Sequence, residues 1–266
     1  MTAILALALG APPKPETGFG MPHDASIDGH LIDWLINVTS GFVIILFVIM
    51  CVWMLYAALK HGRDHQAEYD HGSSKHSVTV ALVISAIIFF VVDGNLFVNS
   101  MVDLSKAFWN HADAEAMGSV VRIEVNAHQW AWDARYAGAD GQFGTADDVV
   151  TLNDIRVPAE TPILIQLASV DVIHSFYLPN FRVKQDAMPG MVNRMWFRAK
   201  PEEIGNSFDI ACAQHCGTNH YKMKGTLTVL SKEDYAKWLQ DQAAVSTRAY
   251  DPNDQEAHWG WKWKEI

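Results

Sequence analysis

Residues 212–223 read CAQHCGTNHYKM, which puts Cys212, Cys216, His220 and Met223 within twelve positions. Two thiolates, an imidazole and a thioether at that spacing form a soft ligand set. Zinc sites take cysteine and histidine without recruiting methionine, whereas thiolate combined with thioether selects copper. A single blue copper uses one cysteine, two histidines and a weak axial methionine, so this loop holds one cysteine too many for it. Two coppers bridged by both thiolates, each with its own imidazole, would use the surplus. That arrangement needs a second histidine, and DVIHSFYLPN supplies His174 directly after the strand-like TPILIQLAS. The competing reading is a Cys212–Cys216 disulfide, which leaves His220 and Met223 without a role. The third cysteine, Cys51, lies in a long apolar run and reads as a small hydrophobe.

The chain that must position these residues has 266 residues, 50% of them hydrophobic, and a net charge of -10 from 20 basic and 30 acidic side chains. Such a composition excludes disorder and argues against nucleic acid as a partner. Three cysteines are too few for a disulfide scaffold. Between residues 131 and 160, Asp133, Asp140, Asp147, Asp148, Asp154 and Glu160 face only Arg135 and Arg156. On charge, this stretch reads equally as an acidic docking surface for a basic partner and as a solvated acidic loop; the docking surface is the expectation carried forward.

Val38 to Leu59 is a run of 22 residues without a charge, which as a helix reaches about 33 Å, enough for a hydrocarbon core of about 30 Å. Ser77 to Val92 gives 16 more, and continuing through Asp93 to Val98 completes a second span. Asp93 is then expected near the far membrane face or against a protein neighbour. Lys60, Arg63 and Lys75 lie between the spans, against Lys14 alone before the first. The positive-inside bias therefore puts the connection in the cytoplasm and both chain ends on the outer side of a bacterial or organellar inner membrane. His61, His65, His71 and His76 in that connection read as a solvated tract. The start, MTAILALALGA, is a weak signal-peptide pattern without a basic leader.

Beyond residue 118 the apolar pattern changes to period two, with Val121, Ile123 and Val125, then Ile163, Ile165 and Leu167, then Leu227 and Val229. Short strands between Gly, Pro, Asn and Asp predict an antiparallel barrel or sandwich. Ser231 with Asp234 resembles a capping box that opens a helix of three to four turns. The tail carries Trp259, Trp261 and Trp263 with Lys262 and Lys264, a mixture suited to a headgroup belt or a groove on a neighbouring subunit. The predicted fold class is a membrane-anchored all-β protein. Its expected parts are an N-terminal segment (1–31), a two-helix hairpin (32–102), a β-barrel domain (118–230), and a short C-terminal helix with its tail (231–266).

Taken together, DVIHSFYLPNFRVKQDAMPGMVNRMWF (171–197), CAQHCGTNHYKM and HQWAW (128–132) resemble subunit II of the haem-copper cytochrome c oxidases. The resemblance covers roughly residues 30 to 240 and implies a cupredoxin-like domain with a dinuclear copper centre, CuA. Such a centre accepts electrons from a c-type cytochrome and passes them to haem in subunit I, where oxygen is reduced to water. It implies bridging roles for Cys212 and Cys216, terminal imidazoles from His174 and His220, and axial ligands from Met223 and the backbone carbonyl of Gln214. Trp130 matches the surface tryptophan through which the electron enters, and as plain sequence it is equally good core material. The work implied for this chain is electron transfer, with no bond made or broken.

Several positions depart from that pattern. Gln214 stands where the family commonly has a glutamate that holds Mg²⁺ at the subunit I interface, and a neutral amide is a poorer ligand for a hard dication. Ala131 replaces an aromatic residue after Trp130, and Met191 replaces an arginine after the Pro-Gly pair. No acid lies between Asp70 and Asp93, so the chain offers no proton-channel acid there. GADGQFGTADDVVTLND (138–154) lacks the EF-hand spacing and reads as an acidic turn. Two other readings remain open: a membrane-anchored copper-delivery protein, and a quinol oxidase subunit that keeps the fold without its copper. The intact ligand set argues against the second.

Overall fold

The computed structural model describes residues 20–66, 69 and 71–249. The N-terminal apolar stretch and the tryptophan-rich tail lie outside the described residues. The described chain forms two compact units, one of residues 31–107 and the other of residues 20–30 with 108–249.

In the first unit, helix α1 (Gly29–Lys60) carries the first apolar run and ends on a lysine whose Nζ reaches Tyr56 Oη at 2.6 Å. Helix α2 (Lys75–Ile87) starts where Ser74 Oγ accepts the Ser77 N–H at 3.1 Å, which satisfies one of the first-turn donors. It continues through a π-helical segment (Ile88–Asp93) into α3 (Gly94–Asp103) and a second π segment (Leu104–Phe108). Both helical runs are long and apolar enough to cross a membrane, with mean hydropathies of 2.8 and 2.3 in their best windows. They are consistent with a membrane anchor. Asp93 closes the first π segment and, with Leu82, Ser85, Ala86, Ile88 and Phe89, lines a groove of about 540 Å³.

The second unit holds the short helix α4 (His111–Ala116) and ten strands: β1 (Val121–His128), β2 (Ala131–Tyr136), β3 (Val149–Leu152), β4 (Asp154–Pro158), β5 (Ile163–Ser169), β6 (His174–Leu178), β7 (Val183–Ala187), β8 (Asn193–Phe197), β9 (Ser207–Cys212) and β10 (Lys224–Leu230). They form two five-stranded sheets, β3-β2-β1-β5-β8 and β4-β10-β9-β6-β7. The period-two apolar residues face one another between the sheets. Ile123, Val125, Ile163, Ile165, Leu167, Phe176, Ile210, Leu227 and Val229 are all fully buried in one core. Each such side chain stabilises the fold by about 1.5–3 kcal/mol relative to exposure. The sheets are mixed where sequence predicts antiparallel pairing, because β1 pairs with β5 and β10 with β4 in parallel.

Ser231 behaves as predicted, its Oγ accepting the Asp234 N–H at 3.0 Å and opening α5 (Lys232–Ala249). That helix is 18 residues long, more than the three to four turns expected, since no glycine or proline interrupts the sequence from its start until Pro252.

A second strap holds the sandwich from the other end of the chain. Ser26 bridges Ala199, the Ala25 N–H donates to Asn180 O at 2.7 Å, and the Lys200 N–H donates to Ala25 O at 3.0 Å. Ion pairs line the same seam: Asp28 with Arg198 at 2.9 Å, Asp24 with Lys200 at 2.9 Å, and His23 with Glu203 at 2.5 Å.

Candidate metal centre

Strand β9 ends at Cys212 and its antiparallel neighbour β10 begins at Lys224, so the residues between them form a long hairpin loop. The Cys212 N–H donates to Met223 O at 3.3 Å and closes its base. Strand β6 lies on the other side of β9, with Phe176 opposite Cys212, and brings in His174 as its first residue. The two cysteines are free thiols whose sulfurs stand 3.7 Å apart. A disulfide would hold them at about 2.05 Å, so the disulfide reading is not the one this geometry adopts.

Around the sulfur pair, His174 Nδ1 stands 4.0 Å from Cys212 Sγ and 3.1 Å from Met223 Sδ. On the other side, His220 Nδ1 stands 3.5 Å from Cys216 Sγ, and Met223 Sδ is 3.8 Å from the same sulfur. Cys212 Sγ also lies 3.2 Å from the carbonyl oxygen of Gln214. The ligand atoms of His174, Cys212 and Cys216 all fall within 4.8 Å of one another. His174, Cys216 and Met223 are buried, while Cys212 and His220 are half-buried. The Gln214 side chain is exposed, and nothing in this arrangement supports a Mg²⁺ site on it.

The electrostatics of the pair call for a cation. Burial opposes ionisation of Cys212, but hydrogen bonding with His174 and then with the backbone of Ser175 and Gln214 outweighs it and brings that thiol down to about 6. Burial, reinforced by the neighbouring Cys212, pushes the Cys216 thiol up to about 12. One thiolate forms readily and the second does not, because two like charges this close repel. A bound metal ion supplies the positive charge that lets both ionise. The donor set fits copper.

Sequence reasoning did not find the residues that orient this centre. Asp171 Oδ1 accepts from His174 Nε2 at 2.8 Å, which leaves Nδ1 facing the sulfurs, and Asp171 Oδ2 accepts the Gln129 N–H at 2.6 Å. Three hydrogen bonds, from His174, Val172 and Gln129, hold the Asp171 carboxyl below the usual range despite its partial burial. Its place three residues before His174 was the available signal. Gln129 Nε2 and Trp130 Nε1 both donate to the carbonyl of Cys216, at 2.9 and 3.1 Å. Gly217, at φ +111°, makes that approach possible, since a Cβ there would meet Gln129 Nε2 at 2.9 Å and Trp130 Cζ2 at 3.3 Å. The next tryptophan, Trp132, is fully buried and packs edge-on against His174 and Phe176.

The acidic surface expected over residues 131–160 is not one surface. Asp148 is 8% exposed and paired with Arg135, so it does not face a partner. Asp140, Asp147 and Asp148 sit beyond Tyr136 at the far end of β2 from Trp130, and six strand residues separate the two ends by about 20 Å. Asp133 pairs with His128 at 3.2 Å and Asp154 with Arg156 at 2.9 Å. Near the metal centre, Val170, Val172 and Ile173 just before His174 and Tyr221 in the ligand loop are exposed apolar side chains, set among the exposed polar residues Asp171, Gln214, His215 and Lys222.

Residues 140–229 match the family described as cytochrome C oxidase subunit II, periplasmic domain. The alternative cytochrome c oxidase subunit 2 of Bradyrhizobium diazoefficiens is 32% identical, over 79% of this chain and 80% of that protein. The chain belongs to the cytochrome c oxidase subunit II family. Cytochrome c oxidase subunit 2 of Cereibacter sphaeroides is 28% identical over 87% of this chain and 82% of its own length. Among solved structures, the periplasmic domain of subunit II of cytochrome oxidase from Bradyrhizobium japonicum superposes with a TM-score of 0.41 at 26% identity, over 47% of this chain and 94% of that one. As a subunit II, the chain is one component of a haem-copper oxidase complex with a periplasmic domain, and its His/Cys/Cys group is consistent with copper binding.

Proposed function

We propose that this subunit accepts electrons for its oxidase from a c-type cytochrome, through a dinuclear copper centre of the CuA type, and delivers them to haem in subunit I. The observation that carries the reading is the sulfur pair at 3.7 Å, flanked by one imidazole near each sulfur and by a thioether. Cys212 and Cys216 would hold the metals as thiolates, His174 and His220 as imidazole ligands, and Met223 and the Gln214 carbonyl as weaker donors. When bound, such a pair supplies one-electron exchange with charge spread over both sulfurs.

The rest is done by this chain's own residues. The sandwich fixes His174 and Cys212 on adjacent strands, so the ligand positions move little when charge changes. Asp171 holds the His174 tautomer, and Trp130 offers the donor a half-buried indole bonded directly to the carbonyl of a ligand. The donor cytochrome would dock at the Trp130 end of the sandwich, over Val170, Val172 and Ile173 with Asp171 among them and Asp133 at the edge, and not on the 138–148 loop.

The test is electron paramagnetic resonance of the copper-loaded full chain in detergent. One unpaired electron split equally by two copper nuclei is expected, and Cys216→Ser should abolish that pattern while the far-ultraviolet spectrum of the sandwich persists. A single-copper spectrum, or full electron transfer by the Cys216→Ser variant, would overturn the assignment.

A further inference from the structure

A second cluster of charged side chains lies away from the metal centre, on the outer face of the β3-β2-β1-β5-β8 sheet. Glu124 of β1 and Arg135 of β2 are register partners, and Arg135 Nε and Nη2 both donate to Glu124 Oε2 at 2.8 Å. Arg135 Nη1 stands 3.7 Å from Asp148 Oδ2, which also accepts the Gly144 N–H at 2.7 Å. The side chains of Glu124, Arg135 and Asp148 are only 1%, 4% and 7% exposed. Glu124 Oε1 and Asp148 Oδ1 are buried and accept no hydrogen bond.

Two carboxylates against one guanidinium leave a buried charge of minus one, and burying an unbalanced charge is costly. The surroundings do not supply the missing cation. On the far side of Glu124 the register partner is the neutral Gln166 of β5, and beyond it comes Arg194 of β8, two strands or about 10 Å away. Arg122 pairs with Glu115 and His128 with Asp133. Val150 of β3 lies opposite Arg135, and the loop that carries Asp148 adds the acids Asp140 and Asp147. His111, on α4, is beside Arg194.

We infer that Glu124, Arg135 and Asp148 form a proton-binding site that keeps one proton under mildly acidic conditions where ordinary carboxyls have ionised, held on Oε1 of Glu124, the carboxyl oxygen that no donor reaches. The proton comes from solvent, a single O–H bond forms, and the cluster becomes neutral. Burial pushes the Glu124 carboxyl up to about 7 and the Asp148 carboxyl upward as well, in keeping with this charge balance. Asp148 ends the 138–148 loop, so the site also clasps that loop to the sheet. Between the ordinary glutamate range and about pH 7 the folded chain holds a proton that the unfolded chain has released, so stability falls as pH rises through that window.

The test is an infrared titration of the protonated-carboxyl C=O band in the full chain in detergent, from about pH 5 to about pH 9, a range that brackets the folded value of the group. The band is expected to survive at about pH 6, where ordinary carboxyls are ionised, to vanish with a midpoint near pH 7, and to be missing from Glu124→Gln. Asp148→Asn deletes the competing charge and should lower the midpoint by roughly one pH unit, a tenfold loss of proton affinity. Absence of the band from the wild-type chain at about pH 6 would overturn the inference, as would its persistence in Glu124→Gln. An unmoved midpoint in Asp148→Asn would remove Asp148 from the site. If Glu124→Gln does not fold, the wild-type band and the Asp148→Asn midpoint decide between these outcomes.

Discussion

The indole Nε1 of Trp130 donates to the backbone carbonyl of Cys216 at 3.1 Å. An exposed edge of the protein is thereby one hydrogen bond from a residue of the sulfur pair. Trp130→Phe keeps an aromatic ring and removes the donor. Stopped-flow oxidation of a reduced cytochrome should slow by roughly tenfold or more, while the copper spectrum stays intact. An unchanged rate would show that electrons reach the centre elsewhere.

Gly217 combines a left-handed backbone with close contact to Gln129 and Trp130. Gly217→Ala should cost about 1–3 kcal/mol through the positive φ alone, and it should also push the indole away. A lower melting temperature together with a changed tryptophan emission spectrum would bear this out. A wild-type melting point would mean the loop has another conformation open to it.

Asp171 ties His174 to the Gln129 turn. Asp171→Asn should weaken copper binding by roughly 10- to 100-fold, measured by competition with a chelator. The metal-free sandwich should melt nearly as before, because Asp171 lies in an exposed turn outside the core. Equal affinities would reduce the contact to a surface hydrogen bond.

Copper uptake should depend on pH in a defined sense. With Cys212 near 6 and Cys216 near 12, the metal-free pair carries one proton across that interval and two below it. Binding to both thiolates expels them, so apparent affinity should rise about tenfold per pH unit above pH 6 and more steeply below. Proton release measured by calorimetry in buffers of different ionisation enthalpy counts the displaced protons directly. A pH-independent affinity would contradict the thiolate assignment.

The N-terminal strap makes a prediction about fragments. A soluble piece beginning at residue 118 lacks Ala25 and Ser26, both buried against the sandwich, and the partners of Arg198 and Lys200. Adding a peptide of residues 20–30 should stabilise that piece by about 2 kcal/mol, read as a rise in melting temperature. No rise would show that the strap contributes nothing to the fold.

What was legible in the chain follows from how local each signal is. Cys212, Cys216, His220 and Met223 share one loop, and their chemical types are rare enough together to name a metal. His174 was legible because a strand pattern and a proline bracket it. Asp171 was not, since an acid in a turn has many uses and only the fold shows which nitrogen it meets. The strap was invisible for a plainer reason: its partners lie far away in the chain, Arg198 170 residues from Asp28. The acidic run was read correctly as composition and wrongly as one surface, because β2 carries Asp140, Asp147 and Asp148 to the opposite end of the sandwich from Trp130. The parallel pairings β1 with β5 and β10 with β4 also have no local mark, since period two describes a strand and not its neighbour.

The strap has a consequence for how the chain is made. Its acids, Asp24 and Asp28, precede the first apolar helix, and their basic partners Lys200 and Arg198 follow the second. They can meet only when both helices have been synthesised and the two flanks lie in one compartment. A first helix threaded backwards would strand Ala25 and Ser26 across the bilayer from their seam. Closing the seam therefore ties the two flanks of the helical pair to the same side, and a chain with its flanks apart would lack both ion pairs.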